Sequence, residues 1–316
     1  ESSTESHTKL FKCRNKIDIR QNDRRKLLLK EQKESRNSVI DSSRNLFEES
    51  SESVQYSGNR RFRDKFYTNK LQLSEWLSEK PDDLIENWYL VPVPIGLRCL
   101  VKIKKGMCHC YDNSGRVRRA FKIMNNPHVN KQKLTVLDCI LANKTFYIID
   151  NLVYNNLPLI DCDCEFRFSW LSGKFEEDQV ESYTSVEGFN FKKLPYYSFT
   201  NQNAIDSCLI QYPMFKNNNP KLDGLLFYHK MSNYVFGKTP TVTWLFMFMI
   251  PEVLGLQSVH PEYMNQKPEY DDYRDFIAEF EENRRLKKQN RQTTTTTSPD
   301  IEEESMEEEI YDDDFE

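Results

Sequence analysis

Glycine is scarce in this chain, 9 of 316 residues against a usual share of about 7%, and where the nine stand excludes more than their number. None are spaced as G-x-G-x-x-G or G-x-x-x-x-G-K, so neither loop that wraps backbone N–H groups around a phosphate can form. A G-x-S-x-G elbow and an H-E-x-x-H pair are also missing, which removes two common hydrolytic designs. Long apolar runs are absent too. The longest, Val242 to Ile250, has nine residues, too few to cross a bilayer as a helix. No apolar core follows Glu1, so no secretory signal is visible.

What is present is charge, unevenly placed. The formal net charge of −5 hides residues 298–316, which carry 11 acids and no base. The rest of the chain is therefore net basic. Charged residues at 29% and apolar residues at 38% describe a folded centre with solvated flanks. The eight cysteines, Cys13, Cys99, Cys108, Cys110, Cys139, Cys162, Cys164 and Cys208, are read as reduced thiols. Cys108/Cys110 and Cys162/Cys164 form two C-x-C pairs. Structural zinc sites usually need a wider C-x(2–4)-C spacing to aim both thiolates at one ion. On a strand, residues i and i+2 share a face, so both pairs are read as buried thiols.

Four segments follow from composition. Residues 1–50 are basic, and Asn22 or Asp23 can cap a helix running through the Leu27–Leu29 triplet towards Phe47. Its apolar face is thin, so it is either a solvated helix or a ligand helix that orders on an acidic partner. Residues 51–68 read as a linker. Residues 69–262 are rich in aromatic and β-branched side chains, with strands predicted at 88–93, 98–103, 134–141, 145–152, 164–170 and 225–228. Asn113-Ser114-Gly115 supplies a turn, and 71–77 and 251–256 are predicted helical. This gives an α+β domain with mainly antiparallel sheets and enough chain for a true core. Residues 263–316 read as a charged, largely disordered tail, with a short helix predicted at 273–288.

Several stretches, taken in order, carry a resemblance. They are Asp23-Arg24-Arg25-Lys26-Leu27-Leu28, Leu71-Gln72-Leu73-Ser74-Glu75-Trp76-Leu77, Val93-Pro94-Ile95-Gly96-Leu97-Arg98, Leu222-Asp223-Gly224-Leu225-Leu226-Phe227-Tyr228-His229-Lys230 and Thr239-Pro240 to Trp244-Leu245. Together they resemble the snurportins, nuclear import adaptors that bind the 2,2,7-trimethylguanosine cap of spliceosomal small nuclear RNAs and link the ribonucleoprotein to importin-β. The resemblance implies a central domain similar to the guanylyltransferase nucleotide-binding domain, without its chemistry. Where that enzyme's K-x-D-G-x-R motif places the nucleophilic Lys, this chain has Val93, and Ile95 replaces the Asp. No enzyme activity, cofactor or metal is expected.

The implied cap site uses Trp244 as stacking platform and Trp76, supported by Leu73, as an apolar wall for the N2 methyls. Ser74 is expected to contact the cap, and Val93, Leu97, Arg98, Cys99 and Asn113 to complete the site. An N7-methylated purine is cationic, so an aromatic face attracts it by stacking and by cation–π attraction. Arg98 is expected to grip phosphate oxygens. Leu97 and Asn113 stand where the family has lysines, and Asp112 adds negative charge, so cap binding is expected to be weaker and less salt-dependent than the family pattern. Trp88 and Trp170 match nothing in the pattern and are read as core. On the carrier side, the importin-β contacts implied are Leu10, Arg14, Lys16, Arg20, Arg24, Arg25, Lys26, Leu27, Leu28, Lys30, Lys33, Arg36 and Arg44. The family picture adds an export receptor as partner and shuttling between nucleus and cytoplasm.

Overall fold

A computed structural model describes residues 20–36, 64–124, 133–177, 184–185, 187–216 and 219–294. Its elements in chain order are α1 (Gln21–Arg36), β1 (Gln72–Trp76), α2 (Leu84–Asn87), β2 (Trp88–Pro94), β3 (Leu97–Lys104), β4 (Met107–Tyr111), β5 (Val117–Met124), β6 (Thr135–Ala142) and β7 (Thr145–Tyr154). Then come β8 (Leu157–Pro158), α3 (Cys164–Glu177), β9 (Thr184–Ser185), β10 (Asn190–Lys193), β11 (Tyr197–Ser198), α4 (Gln202–Ile210), β12 (Leu222–His229), β13 (Gly237–Leu245), α5 (Ile250–Leu254), α6 (Pro261–Met264) and α7 (Tyr273–Thr294). The fold is α+β with mainly antiparallel pairing, as the composition predicts.

Two sheets carry it. One runs β1-β13-β12-β2-β11 and the other β10-β9-β5-β4-β3-β6-β7-β8. In the second, β10 also pairs in parallel with β7, so the sheet closes on itself. Inside that curl sit Cys99, Cys108, Cys110, Cys139, Phe121 and Phe146, together with Leu171 and Phe175 of α3. Cys108 and Cys110 thus share the inner face of β4, as strand alternation requires, and both are fully buried. A second core packs the outer face of the first sheet under α4, α5 and α6. A third fills the space between the sheets with Val91, Val93, Ile140, Ala142 and Tyr228.

Two predicted elements are overturned. Residues 164–170 form the start of helix α3, not a strand. Cys164, Arg167, Phe168, Leu171 and Phe175 are its buried residues, a helical spacing. The pattern is masked in the sequence because one member of the stripe is an arginine. Arg167 is fully buried because Asp150 of β7 accepts from its Nη2 at 2.9 Å and from its Nε, while Nη1 donates to the carbonyls of Cys162 and Ser232. Residues 72–76 are strand β1 rather than helix, held by parallel pairing to β13. That partner lies far along the chain, and local propensity cannot see it.

The packed body extends past both bounds of the expected domain, 69 and 262. Tyr67 is buried and stacks on Tyr111 at 4.4 Å, so the last residues of the expected linker belong to the core. At the other end, Tyr263 is buried and α7 lies against the first sheet's core. The acidic run from 298 lies outside the described residues.

Helix α1 docks on the domain through a polar face. Gln21, Arg25 and Gln32 are its buried residues while Leu27 is exposed. Arg24 makes a two-point ion pair with Glu75 of β1 at 2.6 and 2.8 Å. The Nε of Arg25 donates to the carbonyl of Pro240 at 2.8 Å, and its guanidinium lies 4.5 Å above the Trp88 ring. Gln32 accepts from the backbone N–H of Asn233. An apolar stripe is thin on this helix because hydrogen bonds, rather than leucines, make its contact.

Candidate functional site

At one end of the first sheet, two neighbouring strands place aromatic side chains side by side. Trp76 on β1 and Trp244 on β13 are register partners, and their rings meet edge to face at 4.8 Å and 76°. This is a favourable arrangement for two quadrupoles. Phe246 closes the corner against Trp244 at 4.4 Å. The floor under Trp244 is Gly224 of β12: a Cβ there would stand 2.6 Å from Cε2 and Cζ2 of the indole. Only glycine lets the ring lie on the strand. Across Gly224, β2 contributes Val93. Trp76 and Trp244 are both half-buried.

The facing sheet supplies charge. Arg98 of β3 donates Nε and Nη2 to the two oxygens of Asp138 on β6, at 2.6 and 2.8 Å. Asp138 is fully buried and also accepts from the Tyr234 hydroxyl at 2.7 Å. Burial works against the Arg98 charge, but Asp138 outweighs it and holds the guanidinium firmly protonated. Arg98 therefore presents a partly neutralised fork rather than an open one, and any anion it meets competes with Asp138 for it. Gly96, just before, is required where it stands because a Cβ would come within 2.5 Å of the Leu141 carbonyl oxygen.

Each residue expected in the site has a definite place. The structure brings together Trp76, Trp244 and, across Gly224, Val93. Leu73 packs instead with the group of Leu71, Tyr111 and Tyr234 further along β1. The pairing of β1 with β13 jumps from Ser74/Thr239 to Glu75/Thr243, which separates Leu73 and Ser74 from Trp76 by a break in the ladder. Leu97 is half-buried at the start of β3. Cys99 is fully buried among Cys110 and Cys139, where a ligand cannot touch it without unpacking the curl. Asn113 sits in the turn before β5 and donates weakly to Asn69 at 3.4 Å. Asp112 accepts from Ser114, Arg116 and Arg118, so its charge is absorbed by its own turn rather than directed at a ligand. Of the carrier-side residues, Leu10, Arg14, Lys16 and Arg44 lie outside the described residues.

With that geometry in place, comparison with known proteins decides the family. Residues 70–246 match the Snurportin1, m3G cap-binding domain family. The chain belongs to the snurportins. Trp76, Gly224 and Trp244 all fall inside the snurportin match, as does the Arg98–Asp138 pair. Solved structures similar to this snurportin chain include the ligase domain of M. tuberculosis LigD, at 14% identity and TM-score 0.37, covering 58% of this chain and 60% of that one. A Lig E DNA ligase is similar at 13% identity and TM-score 0.35, over 55% of this chain and 67% of that one. The snurportin chain thus spans about 60% of the LigD domain's length.

Two roles at the corner are missing from the sequence reading, which predicts a helix at 273–288 but places it in the tail. One belongs to α7, whose Glu281 accepts from the Trp76 indole Nε1 at 2.8 Å. The other belongs to Asp223, beside Gly224: burial pushes its carboxyl up to about 6, against an opposing pull from Arg284 of α7. A carboxyl held above its unfolded value costs stability once it must ionise, and that cost grows between roughly pH 4 and 6. Asp223→Asn is free of the cost. Its melting temperature relative to the native chain should therefore rise as pH goes from 4 to 7; a difference that stays constant across that range in paired thermal melts contradicts the assignment.

Proposed function

We propose that this chain binds the 2,2,7-trimethylguanosine cap at the Trp76–Trp244 corner and serves as a nuclear import adaptor. The observation that carries the reading is that corner itself, two half-buried indoles at 76° to one another on a cap-binding-domain chain. Trp244, seated on Gly224, offers a flat face to a cationic purine. Trp76 stands perpendicular to it, where an apolar wall rewards methyl groups at N2 by displacing water. Ser74 and Leu97 are assigned to the rim of the pocket.

Phosphate binding is assigned to Arg98 in competition with Asp138. Because its fork is already paired, cap affinity should fall only gently with added salt, in line with the missing lysines at Leu97 and Asn113. Chemistry on the nucleotide is not part of the proposal. Val93, where a nucleophilic lysine is required, is 2% exposed and packs between the sheets, and incubation with labelled GTP and Mg²⁺ should leave no covalent adduct.

The basic segment 1–50 is assigned to importin-β and the packed body, which takes in Tyr67 at one end and α7 at the other, to the cap; the acidic run from 298 is assigned as the tail. Localisation in nucleus and cytoplasm, and an export receptor as second partner, belong to the same proposal. Arg24 and Arg25 are engaged by Glu75, Pro240 and Trp88 while α1 is docked, so a carrier that takes them must lift the helix off the domain. Arg20, just before α1, and Lys26, Lys30 and Lys33 on it are exposed and are the residues a carrier meets first.

The test is tryptophan quenching on titration with trimethylated cap dinucleotide beside the monomethylated one. Stronger binding of the trimethylated cap is the expected result. Equal affinity would instead favour a general cap-binding module.

A further inference from the structure

Helix α7 begins beyond the residues that match the family, yet it is built into the aromatic corner. Tyr273, Phe276, Phe280 and Glu281 occur at helical spacing on one face. Tyr273 donates from its hydroxyl to the Ser78 carbonyl at 3.0 Å and from its backbone N–H to Glu252. Phe276 stacks on Tyr270 at 5.0 Å and leans on Phe248. Phe280 presents its edge to Trp76 at 5.4 Å and meets Phe246 at 5.7 Å. The contact ends on the bond from the Trp76 indole N–H to Glu281, at 2.8 Å.

An indole has one polar handle. With Trp244 on one side at 4.8 Å and Phe280 on the other, Trp76 still has a choice of ring orientation until that handle is committed. A carboxylate acceptor commits it more strongly than a neutral group does. A wall that recognises methyl groups acts through shape alone, so a small rotation of the ring opens a gap that water fills.

We infer that α7 is a wall of the cap site and that Glu281 is a positioning residue for Trp76, setting the preference for a methylated over an unmethylated N2 edge. The inference rests on the cap reading above. Glu281 touches the ring and not the ligand, so it acts on selectivity more than on stacking. A chain whose carboxylate is lost keeps the Trp244 platform and should still bind a monomethylated cap.

The experiment uses the full chain with Glu281→Ala and Glu281→Gln, titrated with both cap dinucleotides, and follows the Trp76 indole N–H resonance by NMR. Glu281→Ala should lower affinity for the trimethylated cap about three- to tenfold, the reach of one hydrogen bond, with under about twofold change for the monomethylated cap. It should also move the indole resonance. Glu281→Gln keeps an acceptor and should restore both readouts. An unchanged preference in Glu281→Ala overturns the inference. So does a rise in affinity for both caps, which would make α7 a cover that competes with ligand. If the native chain itself shows no preference between the caps, the trimethyl-specific reading falls and takes the inference with it, an outcome distinct from a native preference that Glu281→Ala leaves intact.

Discussion

Trp244→Ala should remove the larger part of the cap-induced quenching, leaving that of Trp76, and weaken cap binding by about 5- to 150-fold, the range that loss of one base–aromatic stack of ~1–3 kcal/mol implies. Trp244 is the residue with the largest expected effect because its ring lies on bare backbone at Gly224, and no other side chain can take its place there. Trp244→Phe keeps a smaller face and should fall between the two. The control is Trp88, which is fully buried, hydrogen-bonded to Asp83 at 3.0 Å and covered by Arg25 at 4.5 Å. Replacing it should cost stability, of order 3–5 kcal/mol for alanine, while the native fraction binds cap normally. Isothermal titration beside thermal melts separates the two tryptophans. Cap affinity untouched by Trp244→Ala would remove the platform from the site.

The second large effect concerns the buried pair that joins α3 to β7. Asp150 and Arg167 are each fully buried, and burial holds the Asp150 carboxyl above its ordinary range in spite of the arginine beside it. Asp150→Ala leaves a buried guanidinium with two carbonyls and no countercharge. Breaking one side of such a pair costs about 3–5 kcal/mol, or a fall of about 10 °C or more in Tm for a domain of this size. Replacing both residues, Asp150→Leu with Arg167→Met, removes the desolvation cost along with the attraction and should recover most of the loss. Thermal melts of the single and double variants decide it. A double variant no better than the single would mean that the bonds from Arg167 to Cys162 and Ser232 carry the stability.

The same arginine shows why part of the fold is hidden in the sequence. Cys164, Arg167, Phe168, Leu171 and Phe175 are spaced as a helix stripe, but a reader who assigns arginine to the surface sees only the alternation of Cys164, Phe166 and Phe168. Its burial depends on Asp150 in another element, and no local pattern carries that information. β1 is similar, because its partner β13 lies more than 160 residues away. Local evidence is read correctly in part: alternation places Cys108 and Cys110 on one strand face, and β2, β3, β6, β7 and β12 fall close to their expected spans. The same rule fails for Cys162 and Cys164, of which the first is only half-buried and the second begins α3. The site divides the same way. The paired indoles follow from the motifs, whereas Glu281 is out of reach because it joins the corner only through folding.

Both flanking helices end on one residue. The Gln21 amide of α1 donates to the Trp76 backbone carbonyl at 2.8 Å, and Glu281 of α7 takes the indole proton of the same residue. Optically, one chromophore therefore listens to both ends of the chain. Emission from Trp76 should respond to release of the amino-terminal helix, to release of the carboxyl-terminal helix and to ligand, so a titration followed by total fluorescence adds three signals together. A Trp76→Phe chain, with Trp244 left as the emitter at the corner, separates ligand binding from movements of the two ends.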